Sequence, residues 1–269
     1  MTNGILLMGH DTPTVPYGLL ATYAAQAIKK HLGLPVCLIT DMHTTYNAKY
    51  FDEVKFNEIG NDNQRFDESL NKKIIWRNTD RSNAFDLSPF DKTILMDVDY
   101  LVQTSTLLKL FEQDIDFLCH RQINDVTGGL FDNSETLGSV GIPFAWATVV
   151  YFTKGEYSAN VFDTWNHVKK NWDYYTSLYN VQKGTFRNDF ALSMALHMIN
   201  GQVHHNKFIP WKLNTVPHRI HIRESKILYE RMDPNHSDLK KYYVWAQGMD
   251  LHFLNKQAFL EYSEALANG

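Results

Sequence analysis

The chain has only two cysteines in 269 residues, Cys37 and Cys119, each alone in an apolar setting, "LPVCLIT" and "IDFLCHR". Isolated thiols exclude a disulfide framework and a cysteine-based zinc site, and make a reducing, cytoplasmic compartment the simpler expectation. Long apolar runs are also missing. The longest uncharged stretch, Thr136 to Thr153, is interrupted by Gly138, Gly141 and Pro143, so it reads as a loop leading into a strand and not as a membrane span. The opening "MTNGILLMGHDTP" lacks the basic region and apolar core of a signal peptide. Neither the P-loop nor the dinucleotide-binding glycine fingerprint occurs, which argues against P-loop kinases, NTPases and dehydrogenases. Positive charge is not in excess: 26 Lys and Arg face 30 Asp and Glu, a formal net charge of −4. That balance gives no global reason to expect polyanion binding, although it leaves room for a local basic face.

What is present describes a globular α/β protein. The length suffices for a large core, and 44% hydrophobic with 21% charged residues is ordinary for a soluble chain. "GILLMG" fits a buried strand, stopped by the loop "HDTPTVP". Tyr17, Leu20, Ala21, Ala24 and Ile28 recur at helical spacing, and Gly33 closes that helix. "LPVCLITD" is a second strand. Strand, helix, strand with little alternation inside the strands predicts a mostly parallel sheet. Further along, the pattern predicts a helix around "NKKIIWRN", a strand at "TILM", a helix from about Thr106 and a strand at "IDFLCH". Residues 121–142 read as a long mobile loop, "PFAWATVVYF" as a strand, and "YSANVFDTWNHVKKNW" and "NDFALSMALHMI" as helices. After Gly201 short strands and loops are expected. No repeat or linker divides the chain, so it reads as one elaborated α/β domain: 1–100 forms a ligand-binding half, and 101–269 a second half with a C-terminal elaboration.

The stretch "FDKTILMDVDYLV" ends a buried strand in two carboxylates, Asp97 and Asp99. Open α/β sheets bind ligands at the carboxyl ends of their strands. Residues i and i+2 on an extended segment point the same way, so both carboxylates would face one cation, and hard cations such as Mg²⁺ or Mn²⁺ prefer oxygen ligands that they share with phosphates. The competing account has one Asp capping the next helix and the other solvated. By the same positional rule, His10, Asp11 and Thr12 after the first strand should meet the bound ligand, although Asp11 equally suits a solvated turn.

"LSPFDKTILMDVDYLV" resembles the stretch leading into the D-x-D motif of GT-A glycosyltransferases, the glycogenin-like group in particular. The resemblance extends loosely from Ile5 to about Gly201. It implies a Rossmann-type mixed, mostly parallel sheet flanked by helices, and transfer of a sugar from a nucleoside diphosphate sugar, UDP above all. It also implies Mn²⁺ or Mg²⁺ on Asp97 and Asp99. A basic residue on an upstream helix would reach the donor, with Arg77 and Arg81 as candidates and Arg81 at the closer spacing. "GMDLHFLNK" resembles the family's C-terminal segment, which implies His252 as a further metal ligand and Lys256 on the diphosphate. The family's Gly and Pro-Trp are missing there, and Lys256 stands closer to His252 than in the family. "FRNDFALSMAL" stands where the family carries an acidic motif beside the acceptor. This implies that Asp189 is a general base or a carboxylate stabilising an oxocarbenium-like transition state; the same residue also suits a helix N-terminus. The family's Asn in an "FNAG"-like strand is absent from "PFAWATVV".

Two other readings compete. D-x-D after an apolar strand also opens haloacid-dehalogenase phosphatase sites, but there it begins the domain and continues with Gly-Thr, whereas here Tyr100 and Leu101 follow. The segment 204–226 carries Lys207, Lys212, Arg219, Arg223 and Lys226 against Glu224 alone, with Phe208 and Trp211 nearby. That composition suits a nucleic-acid or phosphate surface on a non-catalytic module, or a solvated elaboration. "AIKKHLGLPVCLITD" faintly resembles uncharacterised phage proteins, and tailed phages carry glycosyltransferases that modify DNA bases. The resemblance implies hydroxymethylated DNA as acceptor, in the host cytoplasm.

Overall fold

The computed structural model describes residues 1–57, 64–67, 72–75, 77, 79–129, 136–181, 185–203, 207–232 and 239–268. In chain order the elements are β1 (Asn3–Met8), α1 (Tyr17–His31), β2 (Val36–Thr40), β3 (Glu53–Phe56), β4 (Gln64–Asp67), β5 (Lys72–Ile75), α2 (Ala84–Leu87), β6 (Lys92–Met96), β7 (Tyr100–Leu101), β8 (Phe117–His120), β9 (Ile123–Asp125), β10 (Thr136–Leu137), β11 (Ile142–Pro143) and β12 (Trp146–Thr153). They continue with α3 (Glu156–Lys170), α4 (Trp172–Leu178), α5 (Asn188–Ile199), β13 (Leu213–Val216), β14 (His221–Arg223), β15 (Lys226–Met232), β16 (Leu239–Trp245), β17 (Leu251–Phe253) and α6 (Lys256–Asn268).

The main sheet has six strands in the order β3-β2-β1-β6-β12-β8. β3, β2, β1 and β6 run parallel, while β12 is antiparallel to both β6 and β8. Helices cover both faces, which is why β1, β2 and β6 are apolar without alternation. Ile5, Leu7, Leu38, Ile94 and Met96 face a core shared with α1 and α6. Leu6, Ile39, Leu95 and Val150 face a second core with Phe162, Trp165 and Leu192. The fold is thus mixed α/β with a largely parallel central sheet between helical layers. Cys37 and Cys119 are free and buried, and burial pushes the Cys37 thiol up to about 12 and Cys119 higher, so both are inert core residues. No helix among the described residues is long and apolar enough to cross a membrane.

A second sheet, β7-β17-β13-β9, joins distant parts of the chain. Its short strand β7 begins directly after Asp99 and pairs antiparallel with β17, placing Tyr100 opposite His252. A third sheet, β14-β15-β16, forms most of the C-terminal elaboration.

Several local expectations are corrected. "NKKIIWRN" contains strand β5, paired antiparallel with β4, and not a helix; two adjacent isoleucines set no helical period. The stretch from Thr106 is a 3₁₀ turn, Thr106–Leu110, because so short a run gains too little to propagate an α-helix. The segment 121–142 is more ordered than a loop: β9 pairs with β13, and β10 with β11. Residues 130–135 lie outside the described residues. The chain after Gly201 ends in a helix, α6, and not in loops.

Candidate metal centre

The main sheet's parallel strands end on one edge, and the polar residues that follow them collect there. Asp97 follows β6. Its backbone N–H donates to the carbonyl of Thr148 (2.9 Å), and its carbonyl accepts from the N–H of Tyr100 (3.1 Å). Residues 97–100 are therefore a tight turn, not the extended segment that the i, i+2 argument assumed. The turn itself aims both carboxylates to one side. Asp99 is fixed further by β17, since its carbonyl accepts from the N–H of Phe253 (3.0 Å).

The β7–β17 pairing delivers His252 to this turn. One ligand atom each from Asp97, Asp99 and His252 lies within 4.8 Å of the others. His252 Nε2 is 3.7 Å from Asp99 Oδ1. Asp99 and His252 are buried, at 5% and 6% exposure. Asp99 Oδ1 and His252 Nδ1 are buried without a hydrogen-bond partner, an expensive condition unless something else satisfies them.

Cations surround the two carboxylates. Arg81, 2% exposed on the 3₁₀ turn Thr79–Asn83, donates from Nη1 to Asp97 Oδ1 (2.6 Å) and from Nη2 to the carbonyl of Ala147. Lys256, at the start of α6, donates from Nζ to Asp99 Oδ2 and to the carbonyl of Phe253 (3.2 Å). Burial, with the Asp99 and Asp189 charges, pushes the Asp97 carboxyl upward, and the Arg81 guanidinium opposes this. For Asp99, burial also works against ionisation, but the Lys256 ammonium and His252 outweigh it and hold the carboxyl below its usual range. Burial takes His252 down to about 4, so its imidazole is neutral at pH 7, the form that ligates metals.

Asp189, the second residue of α5, accepts the backbone N–H of Ala147 (2.8 Å) and lies 3.7 Å from Arg187. Its charge reaches Asp97 and His252, so it belongs to the same neighbourhood. The helix N-cap is Arg187, and Asp189 lies in the first turn of α5, where an acid also suits the helix dipole.

The loop after β1 is held by its own side chains. Asp11 accepts from the N–H of Gly18 (2.8 Å) with one oxygen and from that of Thr45 (3.0 Å) with the other, tying the loop to the first turn of α1. Thr12 Oγ1 accepts from the N–H of Val15 (3.1 Å) within the same loop. His10 is 2% exposed, with its ring beside the Asn57 backbone, and is held below its ordinary pKa by burial, which outweighs the Asp41 charge and the Asn57 carbonyl. Arg77 donates to Asp41 Oδ2 (3.0 Å) and to the carbonyl of Asp11 (3.2 Å), so it braces the loop after β1, and it does not lie on a helix.

The four basic residues expected to form one surface sit on separate elements. Lys207 precedes the approach to β13, Lys212 lies immediately before that strand, and Arg219 lines a cleft beside α6. Arg223 ends β14; all four are exposed. Residues 204–206 of that segment lie outside the described residues. Sequence reasoning passed over His120, which ends β8, is fully buried with both ring nitrogens unpartnered, and is taken down to about 3 by burial. Its position at a strand's carboxyl end, beside Arg121, was the available signal.

Fold and site together define a mixed α/β protein with a carboxylate–imidazole cluster at the carboxyl edge of its parallel strands. No protein-family profile and no curated protein sequence matches the chain. Among solved structures, galactosyltransferase LgtC in complex with donor and acceptor sugar analogues is similar at a TM-score of 0.47 and 13% identity, over 72% of this chain and 70% of LgtC. Mouse xyloside xylosyltransferase 1 in its apo form gives 0.44 and 12%, over 76% and 84%. The apo-form glycosyltransferase GlyE of Streptococcus pneumoniae TIGR4 gives 0.42 and 14%, over 78% of this chain and 45% of GlyE.

Proposed function

We propose that this protein is a divalent-metal-dependent glycosyltransferase that takes a sugar from a nucleoside diphosphate sugar, UDP being the nucleotide. The observation that carries the reading is the convergence of Asp97, Asp99 and His252, brought from distant parts of the sequence to within 4.8 Å. Two carboxylates and a neutral imidazole, with a buried Asp99 oxygen that accepts no hydrogen bond, form a donor set suited to Mn²⁺ more than to Mg²⁺. A divalent ion held there would supply charge neutralisation of a departing diphosphate.

The chain's own residues account for the rest. Arg81 fixes the Asp97 carboxylate against the carbonyl of Ala147, so one oxygen is oriented and the other is left for a ligand. Lys256 balances Asp99 in the free protein and stands ready to meet the donor's phosphate oxygens. His10 and Arg77 border the strand ends where a nucleotide would enter. Asp189, held by the Ala147 N–H at the head of α5, is the carboxylate we assign to the acceptor hydroxyl or the developing positive charge on the sugar.

Isothermal titration of UDP with and without Mn²⁺, on wild type and on Asp97→Asn/Asp99→Asn, tests the reading. Manganese-dependent binding that the double variant loses is expected. Absence of binding to UDP and to the other nucleoside diphosphates in the presence of Mn²⁺ would sink it.

A further inference from the structure

The three-stranded sheet β14-β15-β16 has two unlike faces. Its register places Ile222, Ile227, Tyr229, Val244 and Tyr242 on one side. Ile227 is fully buried, and Ile222, Tyr229 and Val244 pack against the main core, so this face anchors the sheet. The other face carries Trp245 and Tyr243, which are 55% and 62% exposed. Lys226 lies between them in space, its Nζ 4.7 Å from the Trp245 ring centroid and 5.6 Å from that of Tyr243. Arg223 and Lys241 share this outward face with them.

A large aromatic pair left in water on an anchored sheet is unusual enough to need a reason. Charge narrows it. The outward face carries Arg223, Lys226 and Lys241 against Glu230, with Glu224 in the connecting turn, Lys226 lying 3.8 Å from Glu224 and Lys241 3.8 Å from Glu230; Arg231 and Lys240, on the anchored side, bring the described strands and that turn to a net of +3. The whole chain is −4. The sheet is therefore a cationic island on an otherwise acidic protein, with its rings interleaved among its cations. A neutral saccharide would use the rings and have no need of the cations, whereas a single-stranded nucleic acid uses both: bases stack on aromatic faces and phosphates meet Lys and Arg. The far end of this face, at His221, Glu230 and Leu239, walls a cleft of about 560 Å³ against α6, the helix whose first residue, Lys256, reaches Asp99.

We infer that the outward face of β14-β15-β16 binds single-stranded nucleic acid, with Trp245 and Tyr243 as stacking rings and Arg223, Lys226 and Lys241 as phosphate contacts. The inference concerns binding and holds whether or not the metal centre is catalytic; where sugar transfer holds, it names the acceptor's class.

The experiment is fluorescence anisotropy of a labelled oligothymidylate over a range of salt concentrations, without metal or nucleotide, beside a labelled maltooligosaccharide. Binding of the oligothymidylate is expected, weakened about tenfold or more by Trp245→Ala/Tyr243→Ala. Lys226→Glu/Lys241→Glu should flatten the slope of log affinity against log salt by about 1.4, two contacts at about 0.7 each. Trp245, Tyr243 and Lys241 are exposed and Lys226 is half-buried, and circular dichroism melts report whether either variant loses its fold. No binding at low salt, or binding that neither variant alters, overturns the inference. Salt-independent binding of the neutral oligosaccharide that the aromatic variant abolishes overturns it equally, in favour of a carbohydrate platform. Manganese-dependent UDP titration of the same variants reads the donor site separately, so failure of either reading is distinguishable from failure of the other.

Discussion

The ion pair between Arg81 and Asp97 offers a quantitative test of how the site is held together. The guanidinium is 2% exposed and the carboxylate side chain 30% exposed, at 2.6 Å. At an effective dielectric of about 20 the gross attraction is about 6 kcal/mol, most of which offsets the desolvation of the two charges. Removing one partner of such a buried pair costs about 3–5 kcal/mol, and Asp97's partial access to water places this case near the lower figure. A cycle of Arg81→Met, Asp97→Asn and the double variant, followed by urea denaturation, should therefore give a coupling of about 2–3 kcal/mol. Manganese adds a second readout. Arg81→Met leaves the Asp97 and Asp99 charges relieved by Lys256 alone, so saturating Mn²⁺ should stabilise that variant more than wild type. A coupling below about 0.5 kcal/mol, the range of an exposed pair, would refute the premise that this carboxylate is desolvated. Equal stabilisation by Mn²⁺ in both proteins would refute the placing of the ion beside Asp97.

Mn²⁺ at a hundred times its dissociation constant should stabilise wild type by about 2.7 kcal/mol, and thermal melts of Asp99→Asn and His252→Ala should show that gain lost. Asp189→Asn keeps an acceptor for the Ala147 N–H, so UDP binding should persist while transfer to an acceptor falls by about 10²-fold or more; a rate unchanged from wild type would remove Asp189 from the chemistry. Asp41 is depressed below the usual carboxylate range: burial opposes ionisation, but hydrogen bonds from Thr44 and His43 and the charges of His10 and Arg77 outweigh it. A depressed carboxyl stabilises the fold above its unfolded value, and that contribution disappears as pH falls through the folded one. Asp41→Asn should thus cost about 2 kcal/mol at pH 7, and acid unfolding curves of variant and wild type should converge below the normal aspartate range. A Cβ on Gly18 would stand 2.4 Å from the Thr45 carbonyl oxygen, so Gly18→Ala should destabilise by about 1–3 kcal/mol in chemical denaturation by forcing α1 away from that loop.

What the sequence disclosed divides along the range of the interactions involved. β1, β2, β6, β12, α1, α3 and α5 were legible because each is long or apolar enough for its own residues to decide it; Val161, Phe162, Trp165 and Val168 mark the buried face of α3 without reference to anything else. Short segments were not. Lys72–Ile75 becomes a strand only because Gln64–Asp67 pairs with it, and Thr106–Leu110 stops at a 3₁₀ turn for want of length. α6 was legible and passed over: Ala258, Phe259, Tyr262 and Leu266 already keep helical spacing.

The site shows the same division at higher stakes. Asp97 and Asp99 announce themselves as charges that no buried strand should end in. Their convergence, however, comes from a turn at residues 97–100 and from a two-residue strand that recruits β17, and no local pattern encodes a pairing across so much chain. His252 could be reached only through family resemblance, and the pairing partner of Arg81 not at all, because a guanidinium reads the same in sequence whether it faces a donor or a carboxylate. That ambiguity has a physical consequence. A site assembled by long-range pairing, with two cations balancing two carboxylates before any metal arrives, is preorganised by the fold and not by the ion. On the proposed function, a divalent ion bound there would not have to build the site, and its charge would act on the donor's diphosphate. Loss of the ion should accordingly leave β7 and β17 paired, and hydrogen exchange at Phe253, whose N–H is bonded to Asp99, should be as slow in chelator as in Mn²⁺; rapid exchange in chelator would mean that the ion, and not the chain, builds the site.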